Sequence, residues 1–149
     1  MKKLSLLFAI FILISFTGCS SPSLSGEKVH KEYFTNGKVM SELIMDDDNP
    51  QNGIFKKYGY EGKVTSTVRL TNGVKNGVET WYDGKGREIR KIPYVNGSRH
   101  GIMKELYPNG NDMVTITYQY GKREGLAQTY NRDGSVNQHV MYKNGKIIN

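Results

Sequence analysis

The 149-residue chain holds one cysteine, Cys19, so no internal disulfide can form and the fold must hold without covalent staples. It has no Gly-x-Ser-x-Gly elbow, no P-loop and no dinucleotide fingerprint, which removes the usual signatures of hydrolase, nucleotide and redox chemistry. The three histidines, His30, His100 and His139, stand without a His, Cys or carboxylate partner at metal-ligand spacing. The run Asp46-Asp47-Asp48 invites comparison with a calcium loop, which needs a glycine at position six and a bidentate glutamate at twelve. Counting from Asp46 gives Gln51 and Lys57, and counting from Asp48 gives Gly53 and Gly59, so the acid is missing in both registers. The run reads as a solvated turn insertion. With no nucleophile, base and oxyanion donors to assemble, the chain is expected not to be an enzyme, and to hold no metal and no cofactor.

The chain also lacks an apolar run long enough to span a bilayer. Its longest, Leu4 to Phe16, is 13 residues, about 20 Å as a helix against a core of about 30 Å. Behind Lys2 and Lys3, a run of that length reads as the hydrophobic region of a signal peptide. The following Phe16-Thr17-Gly18-Cys19 resembles the lipobox of bacterial lipoproteins, with Phe16 in place of the usual Leu. The resemblance implies removal of residues 1–18 and a covalent lipid on Cys19. Two or more acyl chains make a stable membrane anchor. Ser20, standing where an Asp would signal inner-membrane retention, implies an outer-membrane lipoprotein facing the periplasm or the surface if the source is Gram-negative. Otherwise the anchor implies the outer face of the cell membrane. Residues 19–26 read as the lipidated N-terminus and a Ser/Pro tether, and residues 27–149 as one repeat domain.

The repeat is carried by glycine. Gly53, Gly77, Gly101 and Gly125 are spaced by 24, as are Gly62, Gly86, Gly110 and Gly134, and Gly73, Gly97, Gly121 and Gly145. Asn precedes Gly at Asn72, Asn96 and Asn144, the pair that supplies the positive φ angles of tight hairpin turns. Asn96-Gly97-Ser98 also spells a glycosylation triplet, and reads here as turn chemistry.

Apolar columns share the period. Ile54, Val78, Ile102 and Leu126 pair with Tyr58, Tyr82, Leu106 and Tyr130, and Val68, Ile92, Ile116 and Val140 pair with Leu70, Tyr94, Tyr118 and Tyr142. Lys56, Thr80, Lys104 and Gln128 are read as the polar residues interleaving the first set. Each repeat is thus two short strands, and these columns are expected to supply the stabilising cross-strand contacts. The first strands run Ile54–Tyr58, Val78–Tyr82, Ile102–Tyr107 and Leu126–Tyr130, and the second Val64–Leu70, Glu88–Val95, Met113–Tyr120 and Val136–Tyr142. A looser copy at Val29–Phe34 and Val39–Ile44 precedes the Asp46–Gln51 insertion, and its Gly37 is one residue off the lattice. The expected fold is all-β: an elongated single-layer antiparallel meander of about five hairpins, following the signal helix and tether.

Tyr94-Val95-Asn96-Gly97-Ser98-Arg99-His100-Gly101 resembles the core of a MORN repeat, and the spelling from Asn72 to Gly77 is closer to the bacterial MORN-variant family. The resemblance covers about residues 29 to 149. It implies a scaffold or binding surface in an exported protein, and, through the antitoxin-repeat name often given to members, an immunity role.

Without Lys2 and Lys3, 19 Lys+Arg face 14 Asp+Glu, a net of +5. Lys75, Arg99 and Arg123 recur at the 24-residue period, with Lys122 and Lys146 one position earlier in their copies. They are expected to form a column of cations along one long edge of the sheet. The expected partners are the membrane, through the lipid, and a protein. Two other functional readings stand beside these: a module binding anionic phospholipid along that edge, and a purely structural envelope spacer with no specific ligand. An address outside the cytoplasm argues against nucleic acid.

Overall fold

A computed structural model describes residues 28–46 and 48–148. The expected signal peptide, the expected lipidation site Cys19 and the expected tether lie outside the described residues. The described chain is one open antiparallel sheet of 13 strands: β1 (Lys28–Tyr33), β2 (Val39–Met45), β3 (Gly53–Tyr58), β4 (Val64–Thr71), β5 (Val74–Lys75), β6 (Gly77–Tyr82), β7 (Glu88–Val95), β8 (Ser98–Arg99), β9 (Gly101–Leu106), β10 (Asp112–Gln119), β11 (Lys122–Tyr130), β12 (Val136–Lys143) and β13 (Lys146–Ile148). Long strands pair with their chain neighbours throughout, so the five-hairpin meander stands. Two of the three extra strands arise at bulges, and the third, β13, follows the last turn and pairs with β12. β5 and β6, and likewise β8 and β9, are halves of one strand interrupted at Asn76 and His100, whose N–H groups still bond to the carbonyls of Arg69 and Pro93 at 3.0 Å.

Two turn designs alternate, one along each long edge. Along one edge five turns close through the same bond, from Phe34, Gly59, Asp83, Tyr107 and Asn131 to the carbonyl four residues on, at 2.8–2.9 Å. The turn at Gly37 shares this geometry, so the lattice slip is absorbed in the insertion beyond Met45. Within that insertion Asp46 pairs with Arg69 at 2.9 Å and Asp48 with Lys28, in keeping with a solvated turn; Asp47 is not among the described residues. Along the other edge are two-residue turns with positive φ at both positions: Asn72-Gly73 (52°, 76°), Asn96-Gly97 (47°, 79°), Tyr120-Gly121 (48°, 84°) and Asn144-Gly145 (53°, 82°). This is the type I′ geometry whose twist matches that of the flanking strands.

The faces of the sheet correct one expectation. Residues two apart share a face, so Ile54, Lys56 and Tyr58 lie together, and Lys56 does not alternate with its neighbours. The residues of the first strands that point to the packed face are Phe55, Glu79, Met103 and Ala127, a column the apolar pattern hides. They complete a central row with Leu43, Val68, Ile92, Ile116 and Val140, through pairs such as Leu43↔Phe55, Glu79↔Ile92 and Met103↔Ile116. Ile92, Met103 and Tyr118 form its buried cluster, with Trp81, Tyr94 and Ile116 against it. On the opposite face the central row is Lys56, Thr67, Thr80, Lys91, Lys104 and Thr115, and the Ile54–Val78–Ile102–Leu126 column is pushed to the rim. Met103 is accordingly 7% exposed and its neighbour Ile102 is 53% exposed. The rim column is not the core.

That opposite face is organised by hydrogen bonds and ion pairs. Lys91 and Lys104 stand cross-strand from each other, a like-charge pairing that Glu88 and Asp112 relieve at 2.7 and 2.8 Å. Tyr58 donates to Glu42, which also meets Lys56 at 3.3 Å. Burial first, then this bond, pushes the Tyr58 phenol up to about 12, and the same bond holds the Glu42 carboxyl below its ordinary value.

Two outcomes follow for stability. A phenol whose pKa is raised by folding stabilises the fold below its unfolded value near 10, and that contribution is lost as pH rises through about 12. Urea midpoints of the Tyr58→Phe variant should therefore fall less between pH 10 and 12 than those of the parent. Gly53, at φ 152°, lies where a β-carbon would collide with the Ile44 carbonyl. Gly53→Ala should cost about 3 kcal/mol in urea unfolding, and an unchanged midpoint would refute this packing.

Candidate functional site

The candidate site is the rim carrying the type I′ turns, where the sequence placed its cations. The turns are stitched to one another: Gly73, Gly97, Gly121 and Gly145 donate their N–H groups to the carbonyls of Gln51, Lys75, Arg99 and Arg123 at 2.8–2.9 Å. Each bond joins one repeat to the one before, so the residues bearing the cations are held by the backbone that follows them.

Lys75, Arg99 and Arg123 come together on the packed face, and they do so through tyrosine. Lys75 Nζ lies 4.8 Å from the Tyr94 ring centroid, the Arg99 guanidinium 5.4 Å from Tyr118, and that of Arg123 5.2 Å from Tyr142. Each contact spans 19 residues, because Tyr94 faces Arg99 and Tyr118 faces Arg123 across the strand pairs. The result is a ladder, Lys75–Tyr94–Arg99–Tyr118–Arg123–Tyr142, running across the strands. Cation–π contacts of this kind contribute about 0.5–1 kcal/mol each at exposed sites. Hydrogen bonding to Tyr94 and Tyr118, opposed by burial, raises the Arg99 pKa above its ordinary value. Bonding to Tyr118 and Tyr142, the latter at 3.1 Å, does the same for Arg123. Both stay charged at any physiological pH.

The five expected cations are not one column. Lys122 and Lys146 are exposed on the same rim but, one residue out of step, point to the opposite face. The expectation of a single cationic column is corrected to two, one per face. Within the ladder Lys75 is compensated by Glu79, whose carboxylate accepts from Nζ at 2.6 Å and is 3% exposed. Arg99 and Arg123 have no carboxylate within ion-pair distance among the described residues, and both are exposed.

Sequence reasoning found the cations and the tyrosines but did not connect them; the signal was the constant offset of 19. It missed Glu79, which interrupts the column of Phe55, Met103 and Ala127.

The turns, the spacing and the tyrosine columns are those of a known repeat. The family model described as MORN repeat variant matches residues 27–47, 99–120 and 123–144. The chain carries MORN-variant repeats. Residues 48–98 fall between the matched segments, yet they build the same two turns and the same strand pairing, so the hairpin lattice is continuous in structure. No curated protein matches the chain. Among the described residues no group of three His, Cys, Asp or Glu side chains could hold a metal ion. A depression of about 570 Å³ lies against the opposite rim, lined by residues including Lys56, Lys63, Thr67, Tyr82 and Asp83. Its single carboxylate, Asp83, is already used: it bonds the N–H groups of Lys85 and Arg87 and the Arg87 side chain, which hold it below its ordinary pKa.

The Lys75–Glu79 pair should respond asymmetrically to substitution. Lys75→Met leaves a carboxylate buried and unpaired and should cost about 3 kcal/mol in urea unfolding. Glu79→Met places in this copy the residue found at Met103, leaves Lys75 on Tyr94, and should be neutral or stabilising by about 1 kcal/mol. Equal losses in both variants would show that the pair is a net contributor to stability.

Proposed function

We propose that the chain is a membrane-anchored envelope lipoprotein whose MORN-variant repeats form a non-catalytic protein-binding scaffold. In its sharper form it is an immunity protein that neutralises a toxin in the periplasm. The observation that carries the scaffold reading is the tyrosine–arginine ladder: a regular, pre-oriented and charged surface on a lattice of backbone bonds. The anchor in this reading is the lipid on Cys19, and the support for it is the lipobox resemblance of Phe16-Thr17-Gly18-Cys19.

A second reading draws on the other face, where Lys122 and Lys146 share the rim with the exposed Ile102, Leu126, Met141 and Ile148. That mixture suits a module lying on anionic phospholipid.

Photo-cross-linking in intact cells separates the two. A photoreactive aromatic residue in place of Tyr142, at the end of the ladder, should capture one protein in stoichiometric yield, and Cys19→Ser should release the chain from the membrane fraction. If position 142 captures nothing while a photoreactive residue at Ile102 cross-links to lipid, the scaffold reading fails and the lipid reading stands. In the immunity form the captured protein is encoded by an adjacent gene.

A further inference from the structure

Two positions break the lattice's own pattern, and their side chains touch. The first position of the type I′ turn is Asn72, Asn96 and Asn144 in three copies and Tyr120 in the fourth, all with φ between 47° and 53°. Asn tolerates this left-handed backbone and a tyrosine is strained there. Tyr120 is also 75% exposed. The second position is Asn52, Asn76, His100 and Glu124. In the outer copies this side chain accepts a bond from the next turn, Asn72 N to Asn52 Oδ1 at 2.8 Å and Asn144 N to Glu124 Oε2 at 2.6 Å. His100 instead packs edge-on against Tyr120, ring centroids 5.0 Å apart, and its buried Nδ1 has no hydrogen-bond partner.

One copy therefore carries backbone strain, an unpaired buried nitrogen and an exposed aromatic ring, and nothing among the described residues offsets them. Strain held against the pattern of sister repeats is a pointer to function. Its neighbours are informative. Gly121 of this turn bonds to the Arg99 carbonyl at 2.8 Å, and the chain continues through Lys122 into Arg123. The strained turn thus sits between the two arginines of the ladder, neither of which is paired with a carboxylate among the described residues.

We propose that Arg99, Tyr120 and Arg123 form a recognition site for an acidic segment of a partner protein. This rests on the scaffold reading and names the chemistry of its partner. Tyr and Arg are the residues that dominate binding energy at protein interfaces, and stacking on Tyr118 and Tyr142 orders both guanidinium groups before a ligand arrives. Arg99 and Arg123 are two strands apart, roughly 10 Å. Carboxylates three residues apart on a polyproline II chain, which has three residues per turn and rises about 3.1 Å per residue, fall on one side and match that spacing.

The test uses the full chain in neutral detergent and a fluorescein-labelled peptide of five Glu-Gly-Ser units, read by anisotropy. The glutamate peptide should bind, more weakly as salt rises, and its glutamine counterpart should not. Arg99→Gln with Arg123→Gln should weaken binding about 10-fold or more. Tyr120→Asn restores the residue of the sister copies, so it should weaken binding several-fold while the melting temperature stays equal or rises. That combination separates recognition from structural support, and it holds even if the double arginine variant folds poorly. Unchanged affinity in Tyr120→Asn, no binding by the parent, or capture of phosphatidylglycerol vesicles in place of the peptide would overturn the proposal. A cross-link from position 142 that survives any of these results would leave the scaffold standing and the acidic-segment site refuted.

Discussion

A sheet with no second layer has nothing to pack against except itself. Side chains on one face must be covered by their lateral neighbours, and burial is decided by position across the width of the sheet. The central row of the packed face has long side chains on both sides: the tyrosines and arginines of the ladder on one, Trp81 and the Arg90–Glu105 pair, at 2.7 Å, on the other. Ile92 and Met103 are buried there. On the opposite face the central row is Lys and Thr, and apolar residues of similar size on its rim stay half exposed. Stability at about 25 cal/mol per Å² of buried apolar surface is therefore concentrated on one face. The ladder belongs to that economy, because Tyr118, which Arg99 stacks on, is itself buried.

Lateral packing demands register, since a slip of one residue would exchange the faces. The backbone enforces it at both rims. Five-residue turns close one rim with the same bond in all five hairpins, and the type I′ turns on the other are bonded each to the repeat before. The insertion beyond Met45 shows the tolerance of this arrangement. It changes the length of one connection and displaces Gly37 from the 24-residue lattice, but the turn at Gly37 and the pairing of β2 with β3 are intact.

The glycine spacing made the turns legible, and with them the hairpins, the strand order and the rim that carries the cations. The faces were harder to read. Ile54, Lys56 and Tyr58 share a parity, and choosing the packed face needs to know which row is central, a fact about neighbours 12 to 24 residues away. Phe55, Glu79, Met103 and Ala127 were invisible because they share no chemistry, only a place in the row. The cations are legible but fall into one column only if the rim is read without its faces, since Lys122 and Arg123 are adjacent in one strand and point to opposite sides. Glu79 was legible only as an anomaly. A carboxylate in an apolar row is intelligible once Lys75 is seen to reach it from the adjacent rim.

Sister repeats act as an internal control that a single-copy domain lacks. Where all copies agree, as at the type I′ glycines, the lattice itself explains the residue. Where one copy differs, its neighbours show what the structure alone would require. Glu79 departs from its column but is neutralised within the fold by Lys75, so the departure closes on itself. His100 and Tyr120 depart together and do not close: a cap is lost, a ring nitrogen is left unpaired and an aromatic ring faces solvent beside two uncompensated arginines. A substitution that the lattice neither needs nor repairs is explained by something outside it, and the charge and shape of that corner specify an acidic partner.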